Sequence, residues 1–294
     1  MKLGEVELHV VSDGEFRVDG GGVFGLVPKV LWEKVVAPDE LNRLPSALNC
    51  LLITSEGKRI LVDTGLGSKL SPKDQELHGL YRPQGGLLEG LRRLGYAPDD
   101  IDIVVNTHLH WDHSGGNTLL RDGVPVPTFP RAQYFVQRLE WADAAYPNER
   151  TRNTYLLENL QPLQELGQLN LISGDTRITR HVRCWVTRGH TRAHQSVVIE
   201  SNGQTAAFLG DLASRPVYME RLGWISAFDT EPLETLETKR ALREWAVERH
   251  ALLFFEHDLG TPLGHLRQQE GKYSVQGFGG LHGTEEGDKT SSAN

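Results

Sequence analysis

Cysteine is nearly absent: the 294 residues contain two, Cys50 and Cys184, each inside an apolar run. That excludes a disulfide framework, and neither thiol stands in a metal-binding spacing, so both read as small core residues. Long hydrophobic runs are missing as well. No stretch approaches the roughly 20 apolar residues that span a bilayer, and Met1-Lys2-Leu3-Gly4-Glu5-Val6-Glu7 carries acidic residues where a secretory leader needs an apolar segment. The expectations are therefore no membrane segment and a cytoplasmic location. Positive charge is in the minority, with 31 Lys and Arg against 39 Asp and Glu for a net charge of −8. Without a basic stripe, no nucleic-acid partner is expected. No short-period repeat and no sign of a boundary interrupt the chain. With 38% hydrophobic residues it can bury a sizeable core, and it reads as one domain over residues 1–283, with a mobile polar tail at 284–294.

What the sequence does contain is a concentration of metal-ligating side chains at one place. Thr107-His108-Leu109-His110-Trp111-Asp112-His113, followed by Ser114-Gly115-Gly116, comes directly after the apolar run Ile101 to Val105. A β-branched run that ends in polar residues and glycines reads as a buried strand opening into a loop. Imidazole and carboxylate suit zinc and similar divalent ions. Alternate residues of an extended segment point the same way, so His108 and His110 can grip one ion together. Once the chain turns, Asp112 and His113 can face a second.

The run resembles the signature of the metallo-β-lactamase-fold hydrolases, and that resemblance implies three further ligands at strand ends. Thr187-Arg188-Gly189-His190-Thr191, Phe208-Leu209-Gly210-Asp211 and Phe254-Phe255-Glu256-His257-Asp258 resemble the later motifs. The resemblance implies an α/β (α+β) chain folded as an αββα sandwich, two central mixed sheets flanked by helices. It also implies that His108, His110 and His190 hold one ion, that Asp112, His113 and His257 hold the other, and that Asp211 bridges them. The implied cofactor is a pair of divalent ions, zinc foremost, with manganese, cobalt or iron able to occupy the same donors. A water shared between two cations loses a proton near neutral pH and becomes the nucleophile, and Asp112 can carry the proton to the leaving oxygen.

Along the rest of the chain, Val6 to Val11 reads as a first strand, and Leu48 to Ile53 and Arg59 to Val62 as a hairpin. Asp63, at the end of the second of these, is expected to orient a histidine ligand as a hydrogen-bond acceptor. Leu87 to Leu94 has helical spacing. Residues 117–179 read as an insertion-like helical region holding one strand, Gln133 to Gln137, and helices near Leu139 to Ala145 and Tyr155 to Leu166. Asn202-Gly203 marks a hairpin between Gln195 to Glu200 and Thr205 to Leu209. A helix capped by Thr230 runs through Glu248. His194 can support a ligand or face substrate.

For the substrate, the closest resemblance is to quorum-quenching N-acyl-homoserine lactone lactonases and the methyl parathion hydrolase-like enzymes. It rests on the glycine-rich Asp19 to Lys29, on Arg152-Asn153-Thr154-Tyr155, on Gly189 to Ser196 and on Phe254 to Asp258. Some of those lactonases place a tyrosine three residues after the bridging aspartate; this chain has Ser214 there, and Tyr218 is the candidate substitute. The expected reaction is opening of a lactone by a metal-dependent ester hydrolase, with phosphotriester or general ester hydrolysis as the same-site alternative. A catalytically silent fold relative is the alternative of another class. Phe24, Leu26, Trp32, Trp224 and Phe228, apolar and close to motif loops, are the candidate acyl-chain pocket. Residues 19–36 are expected to form a lid or the contact of a homodimer, the assembly the resemblance implies.

Overall fold

The computed structural model describes residues 1–278; the expected tail at 284–294 and the end of the expected domain lie outside them. One sheet is built from β1 (Lys2–Leu3), β2 (Val6–Asp19), β3 (Arg43–Ser55), β4 (Lys58–Val62) and β5 (Ile103–Val105). After a separate hairpin, β6 (Thr118–Arg121) and β7 (Val124–Pro127), it is completed by β8 (Gln133–Gln137) and β9 (Leu169–Ile172). The second sheet contains β10 (Thr176–Arg177), β11 (Val182–Val186), β12 (Gln195–Ser201), β13 (Gln204–Phe208), β14 (Leu252–Phe254), β15 (Leu263–Gln269) and β16 (Lys272–Gly277). Both sheets are mixed, and their middles repeat one scheme. β2, β3 and β4 are antiparallel and β4 pairs with β5 in parallel; β11, β12 and β13 are antiparallel and β13 pairs with β14 in parallel.

Strand alternation builds three apolar layers. Leu51, Ile53, Ile60 and Val62 meet Val197, Ile199, Phe208 and Phe254 between the sheets. Their neighbours Cys50, Leu52 and Leu61 face the other way, against Leu87 and Leu91 of a helix. Val198, Ala207 and Leu253 likewise face outward against Leu242 and Ala246 of another. Helices on both outer faces of two sheets make the αββα sandwich. At about 1.5–3 kcal/mol for each fully buried large side chain, the middle layer is the main cohesive term between the halves. Both free cysteines are buried.

The helices are α1 (Gly20–Phe24), α2 (Lys29–Trp32), α3 (Pro72–Leu77), α4 (Leu87–Arg93), α5 (Trp111–Ser114), α6 (Arg138–Ala145), α7 (Gln161–Glu165), α8 (Pro216–Glu220) and α9 (Pro232–Glu248). None among the described residues is long and apolar enough to cross a membrane. The Asn202-Gly203 hairpin forms with positive φ at both residues, as that turn demands.

Several local expectations need correcting. β2 runs to Asp19 rather than stopping at Val11, continuing through an irregular register between Ser12 and Glu15. Residues 117–179 are no helical insertion: they supply β8 and β9 to the first sheet and β10 to the second. The expected helix over 155–166 is broken into a 3-10 turn, Leu157–Asn159, and α7, which starts with Pro162 in its first turn. Thr230 does not cap α9, whose N-cap is Glu231; its hydroxyl instead donates to the His190 carbonyl at 3.1 Å. The Gly-, Gln- and Ser-rich stretch beyond Gly264, whose composition suggests no regular element, forms the hairpin β15–β16, because Leu266, Tyr273 and Val275 pack onto the core beneath α9.

Candidate metal centre

The parallel pairings β4–β5 and β13–β14 bring the ends of those strands to one edge of the sandwich, and the ligand-bearing loops leave from there. Asp63 follows β4 with φ 55° and accepts the Thr107 N–H at 2.7 Å and the Thr107 hydroxyl at 2.6 Å, fastening the motif loop as it leaves β5. The chain then turns into α5, and Gly115 and Gly116 lie so close to the Leu66 and Thr64 carbonyls that a Cβ on either would overlap them.

Two groups of donor atoms result, those of each lying within 4.8 Å of one another: His108, His110 and His190; and Asp112, His113 and His257. Asp211 lies between. Its Oδ2 is 3.3 Å from His190 Nε2 and 3.5 Å from His113 Nε2, and its Oδ1 is 3.2 Å from His257 Nε2. Asp112 Oδ2 stands 3.8 Å from His113 Nε2 and 3.6 Å from His257 Nε2. The seven residues named from the sequence are thus brought together.

The outer ring nitrogens are held by acceptors, which fixes the tautomers so that lone pairs face inward. His190 Nδ1 donates to Asp229 at 2.8 Å and His257 Nδ1 to the Ala47 carbonyl at 2.7 Å. His113 Nδ1 is 3.2 Å from Asp63 and 3.0 Å from Glu256. Asp63 therefore stands where the sequence placed it. Inside, His110 Nδ1 is 3.0 Å from His108 Nε2 and 3.1 Å from His190 Nε2. Burial first, then neighbouring imidazoles, hold His108 and His110 well below the ordinary histidine range, so both are neutral bases. Burial opposes the charge on Asp211, yet His257, His113 and His190 keep its carboxyl well below the usual range. His113 Nε2 and Asp211 Oδ1 are buried without a hydrogen-bond partner. Converging ring nitrogens, an ionised carboxylate and orphaned buried donor atoms fit divalent cations, which would replace the positive charge that His113, His190 and His257 otherwise take up beside Asp211.

The comparison with known proteins agrees with this geometry. The sequence model of the metallo-beta-lactamase superfamily matches residues 44–257. The chain belongs to that superfamily. It is a metal-dependent hydrolase. An N-acyl homoserine lactonase of Bacillus cereus is 29% identical over 271 residues, spanning 88% of this chain and 95% of that protein. The N-acyl homoserine lactonase AttM of Rhizobium radiobacter is 25% identical over 224 residues, 70% of this chain and 80% of that one. Among solved structures, a probable metal-dependent hydrolase from Staphylococcus aureus superposes with TM-score 0.85 at 26% identity, covering 94% of this chain and 99% of its own. AidC, a dizinc quorum-quenching lactonase in complex with a product, shares the fold at TM-score 0.78 and 21% identity, over 96% and 97% of the two chains.

Around this superfamily centre the sequence left several residues unassigned. Asp229 and Glu256 join Asp63 as carboxyl groups beside candidate ligand histidines. Glu140, buried in α6, accepts from Leu109 N at 3.0 Å, Thr191 Oγ1 at 2.6 Å and Tyr155 OH at 3.1 Å, tying the first ligand loop to the one that carries His190. Asp229→Ala is expected to lower metal affinity about 10- to 100-fold, the usual loss when such a partner is removed. A chelator-competition titration measures it, and unchanged affinity would show that His190 needs no such support.

The cleft beside the ligands is lined in part by Ser214, Tyr218, Trp224 and Phe228. Three other pocket candidates are corrected. Phe24 and Trp32 are 0% and 2% exposed, stacked on each other with ring centroids 5.3 Å apart, and belong to the core. Leu26 is fully exposed and is not among the residues lining the cleft. The glycine-rich segment itself is pinned in place, with Gly22 O accepting from Ala227 N at 2.9 Å and Ser226 Oγ at 3.0 Å. Phe24→Ala is accordingly expected to cost about 3–5 kcal/mol of stability, read by denaturant unfolding, with no selective rise in KM for long acyl chains. Of the two roles expected of His194, supporting a ligand or facing substrate, its burial fits the first: its Nε2 accepts the Asp211 N–H at 3.1 Å and so positions the bridging candidate. Tyr218 borders the cleft, but its hydroxyl donates to the Val23 carbonyl at 2.5 Å.

Proposed function

We propose that this chain is a dinuclear metal-dependent hydrolase of ester bonds that opens lactone rings, with N-acyl homoserine lactones as the first substrates to test. The observation that carries this reading is the convergence of two donor triads on the single carboxylate Asp211 at the mouth of a cleft walled by Trp224 and Phe228. Relatives named as N-acyl homoserine lactonases, matching over most of both chains, support the substrate class.

His108, His110 and His190 would hold one divalent ion and Asp112, His113 and His257 the other, with Asp211 between the two donor groups; zinc suits these donors. Such ions supply Lewis acidity to a carbonyl oxygen and lower the pKa of a coordinated water. The chain's own part is to aim and exclude. Asp229, Ala47 and Asp63 fix the imidazole rings, and His194 with Glu140 fixes the loops. Asp112, with 16% of its side chain exposed beside His257, is the carboxylate placed to hold a proton and deliver it to the leaving oxygen. Tyr218 and Ser214 border the cleft an ester would enter, with the Tyr218 hydroxyl donating to the Val23 carbonyl.

Leu26, Val30 and Leu31 lie exposed on and between α1 and α2, and an apolar surface of that kind supports a homodimer formed through this segment. Two unpaired cysteines fit a cytoplasmic site of action. The activity is tested by assaying metal-quantified protein against N-acyl homoserine lactones of several chain lengths beside paraoxon-type phosphotriesters. Lactone kcat/KM above roughly 10⁴ M⁻¹s⁻¹ is expected. Slow lactones with fast phosphotriesters would overturn the substrate, and inertness toward both with two ions bound would move the search to other esters.

A further inference from the structure

Two cations are built into the wall of the cleft against neutral oxygens. Arg215 and Lys239 are 3% and 1% exposed, and both line the cavity that also contains Asp112, Asp211 and His257. Lys239 Nζ donates to the Trp224 carbonyl at 2.7 Å. Arg215 Nη2 donates to the Pro45 carbonyl at 2.8 Å and to Ser46 Oγ at 2.6 Å. The carboxylates that act on them from a distance are already committed. Asp229 serves His190 Nδ1 and Thr235 Oγ1, Asp211 serves three imidazoles, and Asp258 accepts from the backbone of Gly260 and Thr261.

Taking an ammonium or guanidinium out of water costs several kcal/mol unless an anion balances it, and an apolar side chain of similar volume fills the same space without that cost. Burial, the larger influence on Lys239, pulls its ammonium down to about 7 against the pull of Asp229. Tyr218 links the two cations: its ring lies 5.6 Å from Lys239 Nζ, and Arg215 acts on its hydroxyl. One cleft thus joins the candidate metal centre, apolar Trp224 and Phe228, and two buried basic side chains whose direct hydrogen bonds go to neutral oxygens.

We propose that Arg215 and Lys239 form an anion subsite in the catalytic cleft, and that the preferred esters or lactones carry a second, non-scissile carboxylate that docks there. The planar fork of Arg215 suits a carboxylate, and Lys239 adds a point charge. This rests on ester hydrolysis at the metal centre and narrows it, since a neutral acyl lactone leaves both cations unbalanced.

The test uses the metal-loaded enzyme and two matched pairs. Pentanoate and glutarate each offer one carboxylate to the metals, and only glutarate offers a second. By titration calorimetry glutarate should bind at least about tenfold more tightly, and Lys239→Met and Arg215→Met should each bring that ratio toward one. In turnover, mono-4-nitrophenyl glutarate should exceed 4-nitrophenyl pentanoate in kcat/KM by a similar factor, with the preference lost in the same variants. Lys239→Met conserves volume while removing a buried charge. Arg215→Lys keeps the charge and should retain part of the ratio, so these two decide if Arg215→Met does not fold. Equal binding of the two acids by the native enzyme, or a ratio that neither charge-removing variant changes, overturns the subsite. A glutarate preference that vanishes in the variants while no ester is hydrolysed would leave the subsite standing and remove the proposed activity; ester turnover with equal acid binding would do the reverse.

Discussion

Asp211→Ala is expected to lower kcat/KM by about 10²- to 10³-fold or more, the scale of losing one preorganised electrostatic contact at a reacting centre. The expectation rests on position: this is the carboxylate within 3.5 Å of imidazole nitrogens from both donor groups, and removing it leaves His190, His113 and His257 facing one another. Metal content should fall with activity, from about two ions per chain toward one. Elemental analysis beside steady-state kinetics reads both. Asp211→Asn keeps the volume and one donor oxygen, so it separates lost charge from lost packing. Full metal content with near-native turnover would remove the bridging role.

Gly116→Ala is expected to cost about 3 kcal/mol or more and to lower Tm by roughly 5–10 °C. Its added methyl group meets the Thr64 backbone carbonyl, and that backbone cannot yield cheaply. Thr64 N donates to the His113 carbonyl at 2.8 Å, and the Thr64 hydroxyl is bound to the same carbonyl at 3.1 Å and to Asn117 Oδ1 at 3.0 Å. Strain at Gly116 therefore passes directly to the loop that carries His113. Gly223→Ala is the matched control: nothing lies within 4 Å of a Cβ there, so stability should stay within about 0.5 kcal/mol. Calorimetric scans of the two variants decide, and equal melting temperatures would refute the close-packing account.

The candidate ligand set was legible because its chemistry is local. Each of the seven residues follows an apolar, β-branched or aromatic run, and a donor placed just past a buried strand has few other purposes when the pattern recurs. The sandwich was legible for a related reason, since its strands are bounded by turns such as Asn202-Gly203. What the sequence concealed depends on which face a side chain meets. Phe24 and Trp32 sit in a segment without period, and only their stacking, closed by Trp224 at 5.5 Å from Phe24, turns them to the core rather than the cleft. Asp229 and Glu140 reach their partners across 39 and 31 to 51 residues of chain, and no local pattern announces such a partnership. The β15–β16 hairpin was hidden because polar residues outnumber the few apolar ones that anchor it.

His108 and His110 leave the first sheet and His190 belongs to the second; Asp112 and His113 leave the first and His257 the second. Neither donor group exists within one half of the chain. A fragment ending before His190 would retain much of the first sheet and hold no complete triad, so metal uptake records that the two halves have closed on each other. Ions held there would act as a clasp across the seam. Their binding energy would resist parting of the halves before any other opening, so metal-loaded protein should lose protease sensitivity most at segments exposed by that parting.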